Sequence, residues 1–90
     1  MGTALIQIKI MPESVETNLD KIQKKAETII KENKGQNPKF EIQPIAFGLK
    51  ALIASFSIDE SVPTDPFETK LKEILNVSSA EIIDFRRAFG

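Results

Sequence analysis

Hydrophobic and polar residues alternate along three segments of the chain, and apolar residues recur every three to four positions along two others. Alternation places every second side chain on one face of a β-strand, whereas the longer spacing forms one apolar stripe on an α-helix. The predicted strands are residues 3–11, 38–44 and 49–58, followed by a last strand over 77–85. The predicted helices cover about residues 18–34 and 65–76. The order of elements is therefore β-α-β-β-α-β.

Capping residues stand at the ends of both predicted helices. Thr17 is the predicted N-cap of the first helix, and Gly35 is its predicted C-terminal stop. The second helix begins with Asp65 as N-cap, Pro66 in the first turn and Glu68 at the capping-box position. We therefore expect the Asp65 and Glu68 carboxylates to stabilise the start of this helix rather than to form an acid–base pair.

This order of elements, with right-handed crossovers, forms a four-stranded antiparallel sheet with both helices on one face. We therefore predict an α+β fold, the ferredoxin-like sandwich, as one domain over residues 1–90. Pro44 predicts that the second strand lies at an edge of the sheet or ends there, and residues 44–48 are predicted to be a connection. The side chains expected to face the helices are Ile6, Ile8, Ile10, Leu52, Ala54 and Phe56. Those expected on the outer face are Gln7, Lys9, Ser55 and Ser57.

The composition excludes most catalytic chemistry. The chain has no cysteine and no histidine, so disulfides, the usual zinc sites and histidine-based nucleophile systems are excluded. Twelve Lys+Arg and thirteen Asp+Glu give a net charge of -1, which argues against a protein whose main task is to bind nucleic-acid phosphates. We therefore predict no catalytic residue, no cofactor and no metal, and we favour a binding or regulatory module. The absence of a basic leader or a run of ~18 apolar residues predicts a cytoplasmic protein.

An RNA-binding or ribosome-associated module is the main alternative. Proteins of this fold often stack RNA bases on aromatic side chains of the outer sheet face. Here Phe56 has the spacing of a core residue, and the first strand offers Gln7 and Lys9 instead of an aromatic. The lysines that motivate this alternative lie on the polar face of the first helix: Lys21, Lys24, Lys25, Lys31 and Lys34. A regulatory domain that binds a small ligand and dimerises through its sheet is a third possibility.

Two aromatic residues outside the predicted elements are candidates for binding a partner. Phe47 lies between two strands beside a glycine, where its ring either closes the end of the core or projects from a short, stiff connection. A projecting aromatic ring is costly unless a partner covers it, and such rings contribute strongly to interfaces. Phe89 lies in the cationic segment 86–90 with Arg86 and Arg87, which is either a partner-binding tail or a frayed terminus.

Three segments of the chain resemble the archaeal elongation factor 1-beta family, and the resemblance spans the whole chain. These segments are Met11–Ser14 after the first strand, Pro44–Lys50, and Val77 with Ile83–Arg87. Members of the family are guanine-nucleotide exchange factors of translation with a ferredoxin-like fold. The resemblance implies that this protein promotes release of GDP from elongation factor 1-alpha, so that GTP can bind, and that it carries no cofactor.

The same resemblance implies which residues bind the GTPase. In the family, the phenylalanine of the matched loop packs on the G domain of the partner, and the C-terminal strand and tail reach toward the nucleotide site. The positions that the resemblance assigns to partner binding are therefore Phe47, Gly48, Lys50, Arg86, Arg87 and Phe89. The near-terminal lysine that eukaryotic relatives direct at the magnesium position has no counterpart in this chain.

Overall fold

The computed structural model describes residues 2–88 and contains four strands and two helices. The strands are β1 (Thr3–Pro12), β2 (Gln36–Ala46), β3 (Leu49–Asp59) and β4 (Val77–Ala88), and the helices are α1 (Leu19–Glu32) and α2 (Asp65–Lys72). The strands form one antiparallel sheet in the order β2-β3-β1-β4, which places β1 and β3 in the middle. The element order and the sheet order confirm the predicted ferredoxin-like α+β fold.

The core lies between one face of the sheet and the two helices. Strand β1 alternates as predicted, because Ala4, Ile6, Ile8 and Ile10 are buried while Leu5 between them is half-exposed. These side chains form one cluster with the apolar stripes of both helices, so both helices lie on the same face of the sheet. The remaining buried members include Ile22, Ala26, Ile30, Leu52, Ala54, Phe56, Phe67 and Leu71.

The ends of α1 differ from the prediction. Asn18 rather than Thr17 is the N-cap, because Asn18 Oδ1 accepts hydrogen bonds from the backbone N–H groups of Asp20 (2.9 Å) and Lys21 (3.3 Å). At the other end Lys34, not Gly35, adopts the left-handed conformation, with φ of 74°. Gly35 is still needed, since its N–H donates to the Ile30 carbonyl at 2.7 Å and an added Cβ would collide with the Ile30 side chain.

Helix α2 also begins and ends differently from the prediction. Its N-cap is Thr64, whose side chain makes no capping hydrogen bond, and the helix ends at Lys72 rather than near residue 76. Glu68 does not form a capping box, because its Oε2 accepts a hydrogen bond from the backbone N–H of Ile82 in β4 at 2.9 Å. The prediction that Glu68 caps its own helix is therefore wrong, since a tertiary partner takes the carboxylate.

Two segments that were predicted to lie outside the strands belong to strands instead. Residues 44–48 were expected to link two strands, but Pro44 and Ala46 pair with β3 and only Phe47 and Gly48 form the turn. Pro44 nevertheless lies in an edge strand, as predicted, because β2 is the outermost strand on its side. Arg86 and Arg87 are not in a tail, since β4 continues to Ala88 and pairs with the start of β1. Phe89 lies outside the described residues.

Truncation of Phe67 tests the core. Its ring is fully buried and lies 4.8 Å from the ring of Phe56, centroid to centroid. We expect Phe67→Ala to lower the free energy of unfolding by ~3–5 kcal/mol, because the change leaves a cavity that the two helices cannot close. Urea denaturation followed by circular dichroism measures it. Leu75→Ala is the control, because Leu75 is exposed; an equal loss in both variants would contradict the assigned core.

Candidate partner-binding surfaces at the two ends of the sheet

The predicted partner-binding residues lie at opposite ends of the sheet. Phe47, Gly48 and Lys50 are at the tip of the β2–β3 hairpin, beyond the pairing of Ile10 with Leu52. Arg86 and Arg87 pair with the beginning of β1, at the other end of that strand. Because β1 is ten residues long, the two groups are about 30 Å apart, in a molecule 42 Å in its longest dimension. We call them the hairpin end and the arginine end.

Phe47 projects fully into solvent at the hairpin end. Its side chain is 102% exposed, which excludes the alternative that it closes the core. Phe47 and Gly48 have φ of 53° and 80°, the two positive angles of a two-residue type I′ turn. A bulky residue rarely adopts a positive φ, because its Cβ crowds the backbone. The paired strands on both sides therefore hold the ring in a conformation that phenylalanine alone disfavours.

An apolar surface that the sequence did not predict lies beside the hairpin tip. Three more hydrophobic side chains are exposed near the hairpin tip: Val15 at 60%, Ile42 at 53% and Ile45 at 40%. Val15 and Ile42 line a groove of about 350 Å³ together with Gly48 and Lys50. Clustered exposed apolar side chains are typical of binding surfaces. Ile42 lies opposite core residue Leu52, on the helix side of the sheet, but the helices leave this part of β2 uncovered.

The arginine end presents two cations on different faces of the sheet. Arg86 lies opposite half-exposed Leu5 on the outer face, whereas Arg87 lies opposite buried Ala4 on the helix face. Arg86 Nε is 3.0 Å from Asp84 Oδ2, and Arg87 Nε is 3.6 Å from Glu60 Oε1. Both guanidinium groups are largely exposed, and exposed ion pairs contribute little to stability. Each arginine is therefore able to exchange its carboxylate for an anionic partner at little cost.

The turn that carries Glu60 is held by Asp59. Its carboxylate accepts hydrogen bonds from the backbone N–H (2.9 Å) and the hydroxyl (2.8 Å) of Ser61. These bonds lower the pKa of Asp59, because they stabilise the charged form. A lowered pKa in the folded state means that the contribution to stability is present above the unfolded-state pKa and is lost as the pH falls through the folded-state pKa.

Within residues 2–88, no group of three or more acidic side chains is arranged to hold a metal ion, and no helix is long and apolar enough to cross a membrane. Phe56, the residue that resembles an RNA-stacking aromatic, is buried in the core. The lysines of α1 are exposed, but its residues Glu27 and Lys31 pair at 3.3 Å, so the face carries mixed charge.

Comparison with known proteins agrees with this architecture. The family described as the EF-1 guanine nucleotide exchange domain matches residues 5–88. The chain is 44% identical over 82 residues to elongation factor 1-beta of Nanoarchaeum equitans, covering 90% of this chain and 100% of that protein. It is 36% identical over 88 residues to elongation factor 1-beta of Methanosarcina barkeri, covering 97% and 99%. The corresponding protein of Pyrococcus abyssi is 42% identical over 79 residues, covering 83% and 84%.

The molecule is thus a small α+β domain whose exposed features suit recognition of another macromolecule. The chain belongs to the EF-1 guanine nucleotide exchange domain family. This result confirms the family that the Pro44–Lys50 segment indicated in the sequence.

Replacement of Phe47 by asparagine tests the backbone strain at the hairpin tip. Asn-Gly is the favoured sequence of a type I′ turn, since asparagine tolerates positive φ. We expect Phe47→Asn to raise the free energy of unfolding by about 1 kcal/mol. Chemical denaturation measures the change. The control is Gly48→Ala, which imposes the positive φ of Gly48 on a residue with a Cβ, so we expect a loss of stability. A lower stability of Phe47→Asn than of the wild-type protein would contradict the assigned strain.

Proposed function

We propose that this protein promotes release of GDP from elongation factor 1-alpha, so that GTP can bind. The family to which the chain belongs and the names of its relatives support this proposal. The observation that carries it is the fully exposed ring of Phe47, held at an unfavourable φ beside an uncovered apolar groove. Translation elongation takes place in the cytoplasm, and the proposal places the protein there.

Exchange of this kind requires differential binding and no covalent chemistry. A protein that binds the nucleotide-free GTPase more tightly than the GDP-bound form weakens GDP binding by the same factor, because the coupling is reciprocal. A 10⁴-fold weakening corresponds to about 5.5 kcal/mol of differential binding. One buried aromatic anchor contributes ~2–4 kcal/mol to an interface, although only the part made with the empty GTPase counts. The remaining share has to come from other contacts.

The hairpin end supplies the apolar part of the proposed interface. Phe47 enters a pocket of the GTPase, and the groove beside Val15 and Ile42 receives an apolar segment that borders this pocket. Since the turn is closed by strand pairing on both sides, little backbone freedom is lost on binding. Gly48 and Lys50 contribute at the rim, where Lys50 adds positive charge beside the groove.

The arginine end supplies the electrostatic part. GDP is held through its phosphates and a bound magnesium ion, so a cation near these groups competes with the metal for the same negative charge. Arg86 and Arg87 are exposed and weakly paired, and Phe89 follows them in the chain. A GTPase that contacts both ends has to span the length of the sheet, about 30 Å.

Release of a fluorescent GDP analogue from elongation factor 1-alpha tests the function and the role of Phe47. We expect the wild-type protein to accelerate release. Phe47→Ala is expected to reduce the second-order rate constant of exchange about 30-fold, the equivalent of ~2 kcal/mol of lost interface energy. No acceleration by the wild-type protein would overturn the proposed function.

The matched control for Phe47 is Leu75→Ala. Leu75 is also a highly exposed apolar side chain, but it lies in the cleft between the two helices. We expect this variant to retain wild-type exchange. If both variants behave alike, the hairpin end is not the specific contact.

Neutral substitutions test the arginines without breaking β4. Arg86→Gln and Arg87→Gln keep a polar side chain in the strand while they remove the positive charge. We expect the maximal rate of GDP release to fall about tenfold, since loss of one charge contact costs ~1.4 kcal/mol at the transition state for release. Binding to the nucleotide-free GTPase, measured by titration calorimetry, is expected to change less. Lys31→Gln, at another exposed and ion-paired cation, is the control; equal losses of binding and exchange would instead indicate a docking role.

A further inference from the structure

Strand β4 contains a bulge just before its C-terminal part. Ile82 pairs with Ile8 of β1, but the next residue of β1, Gln7, pairs with Asp84. Ile83 is therefore an extra residue with no partner of its own, and its side chain is half-exposed. One inserted residue exchanges the two faces for every side chain that follows it.

The bulge decides which face carries each arginine. With the bulge, Arg86 lies opposite Leu5 on the outer face and Arg87 lies opposite Ala4 on the helix face. Without it, pairing would continue from Ile82 one residue out of step, and both arginines would change face. The ion pair of Arg87 with Glu60 joins two elements and belongs to the bulged register, whereas Asp84 and Arg86 are two residues apart on one strand and share a face in either register.

Apolar patterning alone specifies this register weakly. Ile82 and Ile83 carry the same side chain, so either residue suits the inward position equally well. Phe85 lies opposite core residue Ile6 but remains half-exposed, so its burial does little to select one face. β4 is also an edge strand, which pairs with β1 alone in the described sheet. A register that hydrophobic contacts leave open needs a specific hydrogen bond.

Glu68 supplies such a bond. Its Oε2 accepts the backbone N–H of Ile82 at 2.9 Å, next to the inserted residue, and the contact is partly buried. Within residues 2–88 it is the one side-chain hydrogen bond between α2 and β4. A charged acceptor makes a stronger bond than a neutral one, and loss of the acceptor would leave a partly buried donor unpaired.

We propose that Glu68 is a positioning residue that fixes the β4 bulge and thereby the faces on which Arg86 and Arg87 stand. It acts from α2 through the backbone of Ile82 and touches neither the GTPase nor the nucleotide. The consequence for nucleotide exchange rests on the proposed function, whereas the consequence for strand register does not.

The register is tested by nuclear magnetic resonance on the full chain. Wild-type protein is expected to show a cross-strand contact between Ile6 and Phe85. In Glu68→Ala we expect a contact between Ile6 and Asp84 to replace it, and the Ile82 amide to exchange with solvent about tenfold faster, as for loss of one charged hydrogen bond. Glu68→Gln retains an acceptor oxygen and is expected to keep the wild-type register. An unchanged register in Glu68→Ala overturns the proposal.

Deletion of Ile83 separates positioning from a general effect on stability. The deletion removes the extra residue, so regular pairing from Ile82 would place Asp84, Arg86 and Arg87 on their wild-type faces without a bulge. We expect Glu68→Ala to lower the maximal rate of GDP release about tenfold in the wild-type background and less than about twofold in the deletion background. Equal effects in both backgrounds overturn the proposal, because a structural role in α2 would not depend on the bulge.

Asp65→Ala is the matched control. Asp65 is the other acidic residue in the first turn of α2, and among residues 2–88 its side chain makes no hydrogen bond to β4. We expect this variant to keep the wild-type rate of GDP release and the wild-type strand register. If the wild-type protein does not accelerate GDP release, the proposed function fails, and the register measurements still test the role of Glu68 by themselves.

Discussion

Burial of one face of β1 is the constraint on which the rest of the structure depends. Ala4, Ile6, Ile8 and Ile10 are nearly inaccessible, and a shift of one residue would expose all of them. Because β1 pairs with β3 on one side and β4 on the other, its register is transmitted to both neighbours. The hairpin end and the arginine end are thus set at a constant separation by a strand that is itself part of neither surface.

The features proposed to bind the GTPase lie where this constraint is weakest. The hairpin tip extends past the helices, which leaves Ile42 uncovered although it faces their side of the sheet. Phe47 adopts a positive φ that most side chains avoid. The arginines lie on an edge strand whose register is interrupted by a bulge. The well-packed core stabilises the fold enough to tolerate these local costs, as is usual for functional surfaces.

The proposed function depends on shape and charge rather than on reactive groups. Neither histidine nor cysteine is present, and the strongest exposed features are an aromatic ring, an apolar groove and two weakly paired arginines. Such features are sufficient for a protein that acts by binding one state of a GTPase more tightly than another. Membership of the EF-1 guanine nucleotide exchange domain family agrees with this kind of mechanism.

The sequence by itself determined the element order, the helix stripes, the buried face of β1 and the edge position of β2. These features follow from local periodicity and from the missing donor of Pro44, which do not depend on distant residues. Short motifs also identified the family. Only the tertiary structure decided that Phe47 projects from a two-residue turn. The sequence did not distinguish this position from one at the end of the core, because an apolar residue occurs in both. It also decided that Glu68 serves β4 instead of its own helix, and that Arg86 and Arg87 stand in a strand on opposite faces. Each of these depends on contacts between residues distant in sequence, which local patterns do not encode.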